Sequence, residues 1–116
     1  MTEKKPFALS ERLFDFASRM LDICSRLPSN PEASNIRYQL SRSGTSGAAN
    51  WEESEGAVSK KDKIKSMIVA RKEIRESRLW LRLISGRYVS PEDIENDIKE
   101  STELLNILST IIKKLS

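Results

Sequence analysis

Arg71, Arg75, Arg78 and Arg82 follow one another at steps of four, three and four. On a helix that spacing puts all four guanidiniums on one face, and Lys60 falls on the same face. Such a stripe suits anions, because guanidinium forks match phosphate or carboxylate oxygens two at a time. The plain alternative is a solvated surface neutralised by carboxylates of neighbouring helices. Arginine rather than lysine within the stripe favours anion recognition over mere solubility. Two acidic groups of the sequence stand ready to neutralise it: Glu52, Glu53 and Glu55, and the run that opens at Glu92. If those carboxylates meet the arginines across a subunit boundary, the stripe holds an assembly together. If they do not, the molecule displays a basic ridge. Glu73 and Glu76 are nearest in sequence but lie off the stripe.

Catalytic chemistry finds little to work with. With one cysteine and no histidine, zinc sites and histidine-based acid–base or triad chemistry are excluded. Glu52, Glu53, Glu73 and Glu76 lack the histidines that di-iron bundles place beside their carboxylates. No Asp or Glu falls on a predicted inward seam, where magnesium would need it. Ser43, Thr45 and Ser46 have no base beside them, so packing is their expected role. Cys24 sits on an apolar stripe and is expected to be a buried structural thiol. The expectation is a protein that is not an enzyme and uses no metal or cofactor.

A chain of 116 residues forms one domain, long enough to bury a core. Charged residues make up 32% of it, and glycine and proline are scarce, which suits helices and argues against disorder. No apolar run approaches the ~18 residues of a membrane span. No secretory signal opens the chain, so a cytoplasmic protein is expected. The net charge of +3 conceals an asymmetry: residues 60–87 hold ten basic and three acidic groups. One segment therefore carries more than the whole positive excess.

Four helices, at about 10–27, 31–55, 60–86 and 91–115, must position these groups. Residues 1–7 read as a frayed tail. Ser10 is the expected cap of the first helix, with Leu9 and Phe14 stapled across it. That helix presents Leu13, Phe16, Ala17, Met20, Cys24 and Leu27 on one face and stops at Pro28. Asn30-Pro31 caps and starts the second helix, whose seam is Ile36, Leu40, Ser43, Gly47, Asn50 and Ser54. Ser59 to Asp62 reads as a capping box for the third. Its seam is Met67, Ala70, Ile74, Ser77, Leu81, Ile84 and Tyr88, with Gly86 near its end. Ser90-Pro91-Glu92-Asp93 reads as a second capping signature and opens the fourth, with proline at its first position; it packs through Ile94, Ile98, Ser101, Leu105, Leu108, Ile112 and Leu115. Short connections make neighbours antiparallel, giving an all-α, antiparallel up-down-up-down four-helix bundle in a single domain over residues 1–116.

Within the second helix, Gln39 to Asn50 carries almost no bulk. Two glycines in a helix cost roughly 1 kcal/mol each relative to alanine, and close backbone approach is the expected offset. Ser43, Gly44, Gly47 and Asn50 therefore read as helix-packing positions, with Ser43 or Asn50 able to fix register through a hydrogen bond. The string Gln39-Leu40-Ser41-Arg42-Ser43-Gly44-Thr45-Ser46-Gly47-Ala48-Ala49-Asn50, followed by Glu52-Glu53, resembles the second-helix signature of the bacterial four-helix-bundle proteins of 23S rRNA intervening sequences. Ala70-Arg71 and Lys72 to Leu83 resemble that family's third helix, so the likeness runs from about Leu9 to Leu115. Gly47 departs from it, since a β-branched residue or leucine is commoner there. The resemblance implies a bundle that self-assembles, typically as a homopentamer. The family is in turn similar to accessory proteins of diversity-generating retroelements, which implies RNA or DNA, and a reverse transcriptase, as partners. It carries no catalytic residue.

Apolar residues beyond the seams are expected to serve subunit contacts. They are Val69, Trp80 and Leu83 on the third helix and Leu104, Ile107 and Ile111 on the fourth, with Trp80 the first choice as anchor. The working surface expected is the arginine stripe, Arg71, Arg75, Arg78 and Arg82 with Lys60, engaging nucleic acid through phosphates. A protein-binding scaffold is the competing reading.

Overall fold

The computed structural model describes residues 6–116. Four helices fill it: α1 (Pro6–Cys24), α2 (Pro31–Glu55), α3 (Lys60–Ile84) and α4 (Pro91–Leu115). Among the described residues there is no strand, only an isolated bridge between Ser85 and Val89 in the α3–α4 connection. The chain is an antiparallel four-helix bundle, flattened to 44 × 32 × 19 Å between Cα atoms.

Each turn is fixed by its own chemistry. Asn30 accepts a hydrogen bond from the Ala33 amide at 2.8 Å, and Pro31 occupies the first turn of α2, where a missing N–H costs nothing. Ser59 caps α3 by accepting from the Asp62 amide at 3.1 Å. Past the end of α3, Gly86 takes a φ of 79°, a left-handed conformation that favours glycine. Acidic Glu92 and Asp93 open α4 and Lys113 and Lys114 close it, in keeping with the helix dipole.

Three local expectations fail. The helix α1 begins at Pro6, which takes up Pro6 and Phe7 of the predicted tail; Met1 to Lys5 lie outside the described residues. Ser10 is thus inside α1 and not its cap. It instead accepts a hydrogen bond from Trp51 Nε1 at 2.8 Å, and Phe14 is exposed rather than stapled. Ser90 makes no side-chain cap; its hydroxyl donates to the Glu92 carboxylate, which holds that carboxyl below its usual range.

The inward seams converge on a core of Leu13, Met20, Ile23, Leu40, Ile74, Leu81, Ile84, Ile94, Leu104 and Leu108, all fully buried. The bare face of α2 explains the arrangement around it. A Cβ built on Gly44 would lie 2.6 Å from Met20 Cγ and 2.7 Å from Met20 Cβ, on α1. One built on Gly47 would lie 2.6 Å from Ile74 Cδ1, on α3. One stretch of α2 thereby admits a neighbour on each side. Beside them Ser43 and Ser77 share a buried hydrogen bond of 2.7 Å between α2 and α3. Asn50 makes no such link, since its amide donates to Ser46 within α2.

Alanine at Gly44 adds helix propensity but collides with Met20 close to its backbone attachment, so the clash outweighs the gain. Gly44→Ala is expected to lose about 1–3 kcal/mol. Gly47→Ala is expected to lose less, because the flexible end of Ile74 can turn. Gly56 has no atom nearer than 4.0 Å to its built Cβ and a φ of −95°, so Gly56→Ala is expected to be neutral or to gain about 0.4–1 kcal/mol. Urea unfolding of the three variants checks the order.

Candidate functional site

The arginines of this chain divide by what they touch. Those of α1 close the side of the bundle where helix backbones meet least. Arg12 binds Glu100 through both carboxylate oxygens, at 2.8 and 3.0 Å, and Glu103 at 2.6 Å. Arg19 binds Asp97 in the same two-pronged way, at 2.7 and 3.0 Å. Arg26 reaches Asp93 at 2.8 Å. The three stand seven residues apart, one per two turns, so they form a ladder between antiparallel α1 and α4. The hydrogen bonds to Glu100 and to Asp97 raise the pKa of Arg12 and of Arg19 above its ordinary value, against the opposing effect of burial.

On α2, Arg42 crosses to α3, meeting Glu73 at 3.3 Å and Glu76 at 2.6 Å. Its pKa too is raised, first by the bond to Glu76. Arg37 donates to the carbonyls of Cys24, Leu27 and Pro28, serving the unpaired oxygens at the end of α1. Cys24 lies buried next to it, and burial pushes the thiol above its ordinary value.

The four arginines on α3 behave otherwise. Arg71 donates to the Ser109 hydroxyl at 3.3 Å and Arg78 to that of Thr102 at 3.2 Å. Arg75 and Arg82 are exposed. No ion pair among the described residues involves any of the four. Lys60 is exposed at the start of the same helix, beside a shallow depression lined by Ile64 and Leu115. Both acidic supplies are absent from the stripe. On α4, Asp93, Asp97, Glu100 and Glu103 pair with Arg26, Arg19 and Arg12, and Glu95 pairs with Lys99; Glu52, Glu53 and Glu55 are exposed without an ion pair among the described residues. Neutral hydroxyls orient two guanidiniums, and no described carboxylate pairs with any of the four.

Expected interface residues separate as well. Leu104 is fully buried and belongs to the core, which removes it from any subunit contact. At a bundle corner α4 faces two neighbours, and its apolar stripe is wide enough to bury both Leu104 and Leu105. Ile107, Ile111 and Trp80 are half-buried against the core. The Trp80 indole donates to Glu76 at 3.2 Å, bracing the carboxylate that Arg42 uses. Val69 is half-buried and lines an open groove with Glu52, Glu53 and Lys65; Leu83 is exposed. Two buried carboxylates escaped the sequence reading, Glu73 and Asp97. Each sits at a seam edge against an arginine, which meets the cost of burying its charge. Among the described residues no group of His, Cys, Asp and Glu is arranged to hold a metal, and no helix is long and apolar enough to cross a membrane.

The sequence model described as 23S rRNA-intervening sequence protein matches residues 7–110. The chain belongs to that family. A solved structure from Bacteroides thetaiotaomicron VPI-5482, described as a protein with unknown function from the S23 ribosomal protein family, is 34% identical. The likeness covers 90% of this chain and 98% of that one, with a TM-score of 0.83. Comparison with curated proteins gives no match. Membership in the 23S rRNA-intervening sequence protein family thus comes with a fold and without an assigned activity.

The α1–α4 ladder separates exposed from sheltered pairs. Arg19→Met leaves Asp97, whose side chain is 10% exposed, without its partner. A loss of about 1.5–3 kcal/mol is expected, the range for hydrogen bonds to charged groups. Arg26→Met breaks a pair exposed on both sides and is expected to lose less than about 1 kcal/mol. Thermal or urea unfolding distinguishes them. For Cys24 the folded thiol holds its proton more tightly than the unfolded one. Its contribution is present below the unfolded thiol pKa and is lost as pH rises through the folded one. Native alkylation should be slow and should become fast in denaturant.

Proposed function

We propose that this protein is a non-enzymatic homo-oligomer that binds RNA or DNA through phosphates, without base specificity, along the arginine face of α3. The observation that carries the reading is the contrast among arginines. Arg12, Arg19, Arg26 and Arg42 are each satisfied by carboxylates. Arg71, Arg75, Arg78 and Arg82 meet hydroxyls or none of the described carboxylates. Among the described residues no carboxylate pairs with these four, so the α3 face is where positive charge is available to a polyanion. Spread over eleven helical steps, the four span about 16 Å, enough for several phosphates of one strand. Contacts from these guanidiniums to phosphate carry no sequence information, so affinity should depend little on sequence.

The family supports the direction of this reading, since its reading frames are described by their place in ribosomal RNA. A pentameric ring would repeat the basic face around the particle and raise avidity. A cytoplasmic location fits both.

Titration of single-stranded RNA and DNA over a salt series tests it. Log affinity is expected to fall with log salt at about 0.7 per phosphate neutralised on a single strand. Replacing all four arginines by glutamine should abolish binding at low salt while leaving the unfolding midpoint within about 0.5 kcal/mol of wild type, as for surface changes. Absence of binding at low salt, or full binding by the quadruple variant, overturns the proposal and leaves a protein-binding scaffold, a reverse transcriptase being one such partner.

A further inference from the structure

Two exposed helix faces remain after the core, the ladder and the arginine stripe are accounted for. On α1, Phe14 is 68% exposed and Leu21 49% exposed, seven residues apart on one outward face. Flanking them are Glu11, Asp15 and Asp22, all exposed and free of ion pairs among the described residues. On α3, Ile68 is 42%, Leu79 47% and Leu83 45% exposed. With Lys61, Lys65 and Lys72 they form the run Lys61, Lys65, Ile68, Lys72, Leu79 and Leu83, at steps of four, three, four, seven and four, basic in its first half and apolar in its second, with Arg75 inside the seven-residue step. This second stripe lies on the α2 side of the arginines, whereas Arg71 and Arg78 lean toward α4.

Both faces set exposed apolar side chains among charges of one sign: Phe14 and Leu21 stand seven residues apart on α1, and Ile68, Leu79 and Leu83 eleven and four apart on α3. Their charges are opposite. A helix that is apolar and acidic on one molecule can lie along one that is apolar and basic on the next, burying the five hydrophobic side chains and pairing the edges. A solvated surface does not explain why apolar groups sit with acids on one face and with lysines on the other. The two faces also stand on different corners of the bundle: α1 packs on α2 and α4, and α1 does not touch α3. One molecule therefore cannot satisfy itself.

We infer that the α1 face of one copy docks on the Lys61–Leu83 stripe of a second copy, a head-to-tail contact in which each molecule uses two different surfaces. The inference rests on the homo-oligomer part of the proposed function and specifies its joint. Contacts of this kind close into rings or continue as filaments, whereas face-to-itself contacts stop at pairs. The docked stripe leaves Arg71 and Arg78 outside the joint, with Arg75 and Arg82 at its border, so assembly and phosphate binding meet along α3.

The test uses two variants changed only at exposed positions, with circular dichroism to verify the fold. The first carries Phe14→Lys and Asp22→Lys, the second Ile68→Glu and Leu79→Glu. Mass is read by light scattering, for each alone and for an equal mixture. Each alone is expected to be monomeric, because each has lost one of two unlike faces. The mixture is expected to give a one-to-one pair and no larger species, since one intact face of each kind remains. If only the α1 variant falls apart, the contact is α1 on α1 and the inference fails. If either variant keeps the wild-type mass, or the mixture stays monomeric while wild type assembles, the joint lies elsewhere and the homo-oligomer reading survives. A wild type that is itself monomeric overturns both.

Discussion

Close approach at Gly44 and Gly47 is the constraint from which the rest of the molecule follows. Met20 of α1 and Ile74 of α3 occupy the space that side chains on α2 would need. While α2 is held this tightly from two directions, α1 and α4 approach each other least, and their side of the bundle is spanned by long polar side chains. Arginines at Arg12, Arg19 and Arg26 reach over the gap that small residues create opposite. Glycine in mid-helix is unfavourable alone, but here it allows dense contact on both flanks, and dispersion grows with that density.

The same geometry sets the electrostatics. Carboxylates of α4 have two candidate neighbours, α1 and α3, and the ladder takes Asp93, Asp97, Glu100 and Glu103 to the α1 side. Glu73 and Glu76 are taken by Arg42. What remains on α3 is a cluster of guanidiniums with hydroxyl company only. Repulsion within such a cluster is tolerated at a surface because water and salt screen it. The charge asymmetry of the sequence therefore becomes a spatial asymmetry, with each helix surface assigned a sign by which pairs form inside.

Four helices and most of each seam were legible because a 3.6-residue period leaves a strong trace in apolar spacing, although α1 runs from Pro6 to Cys24 and the buried Ile23 was not on the expected seam. Ser43 was legible for the same reason, since a small polar residue on a seam has few other uses. Ion-pair partners were not legible. Arg19 with Asp97 depends on which helix lies alongside and at what height, and no local pattern records that. Ser10 misled because a serine before an apolar run looks like a cap, whereas Pro6 supplies an earlier start. Leu104 misled because a helix at a corner buries a wider arc than a single seam suggests.

The two tryptophans end up in unlike surroundings. Trp51 is buried, with its indole nitrogen held by Ser10 across the α1–α2 contact. Trp80 is half-buried and bonded to a carboxylate beside solvent. Their emission should differ in colour, and a quencher such as iodide should find the second ring first. Nature has thus supplied two optical reporters, one watching whether the first helix is seated and the other watching the flank of the third.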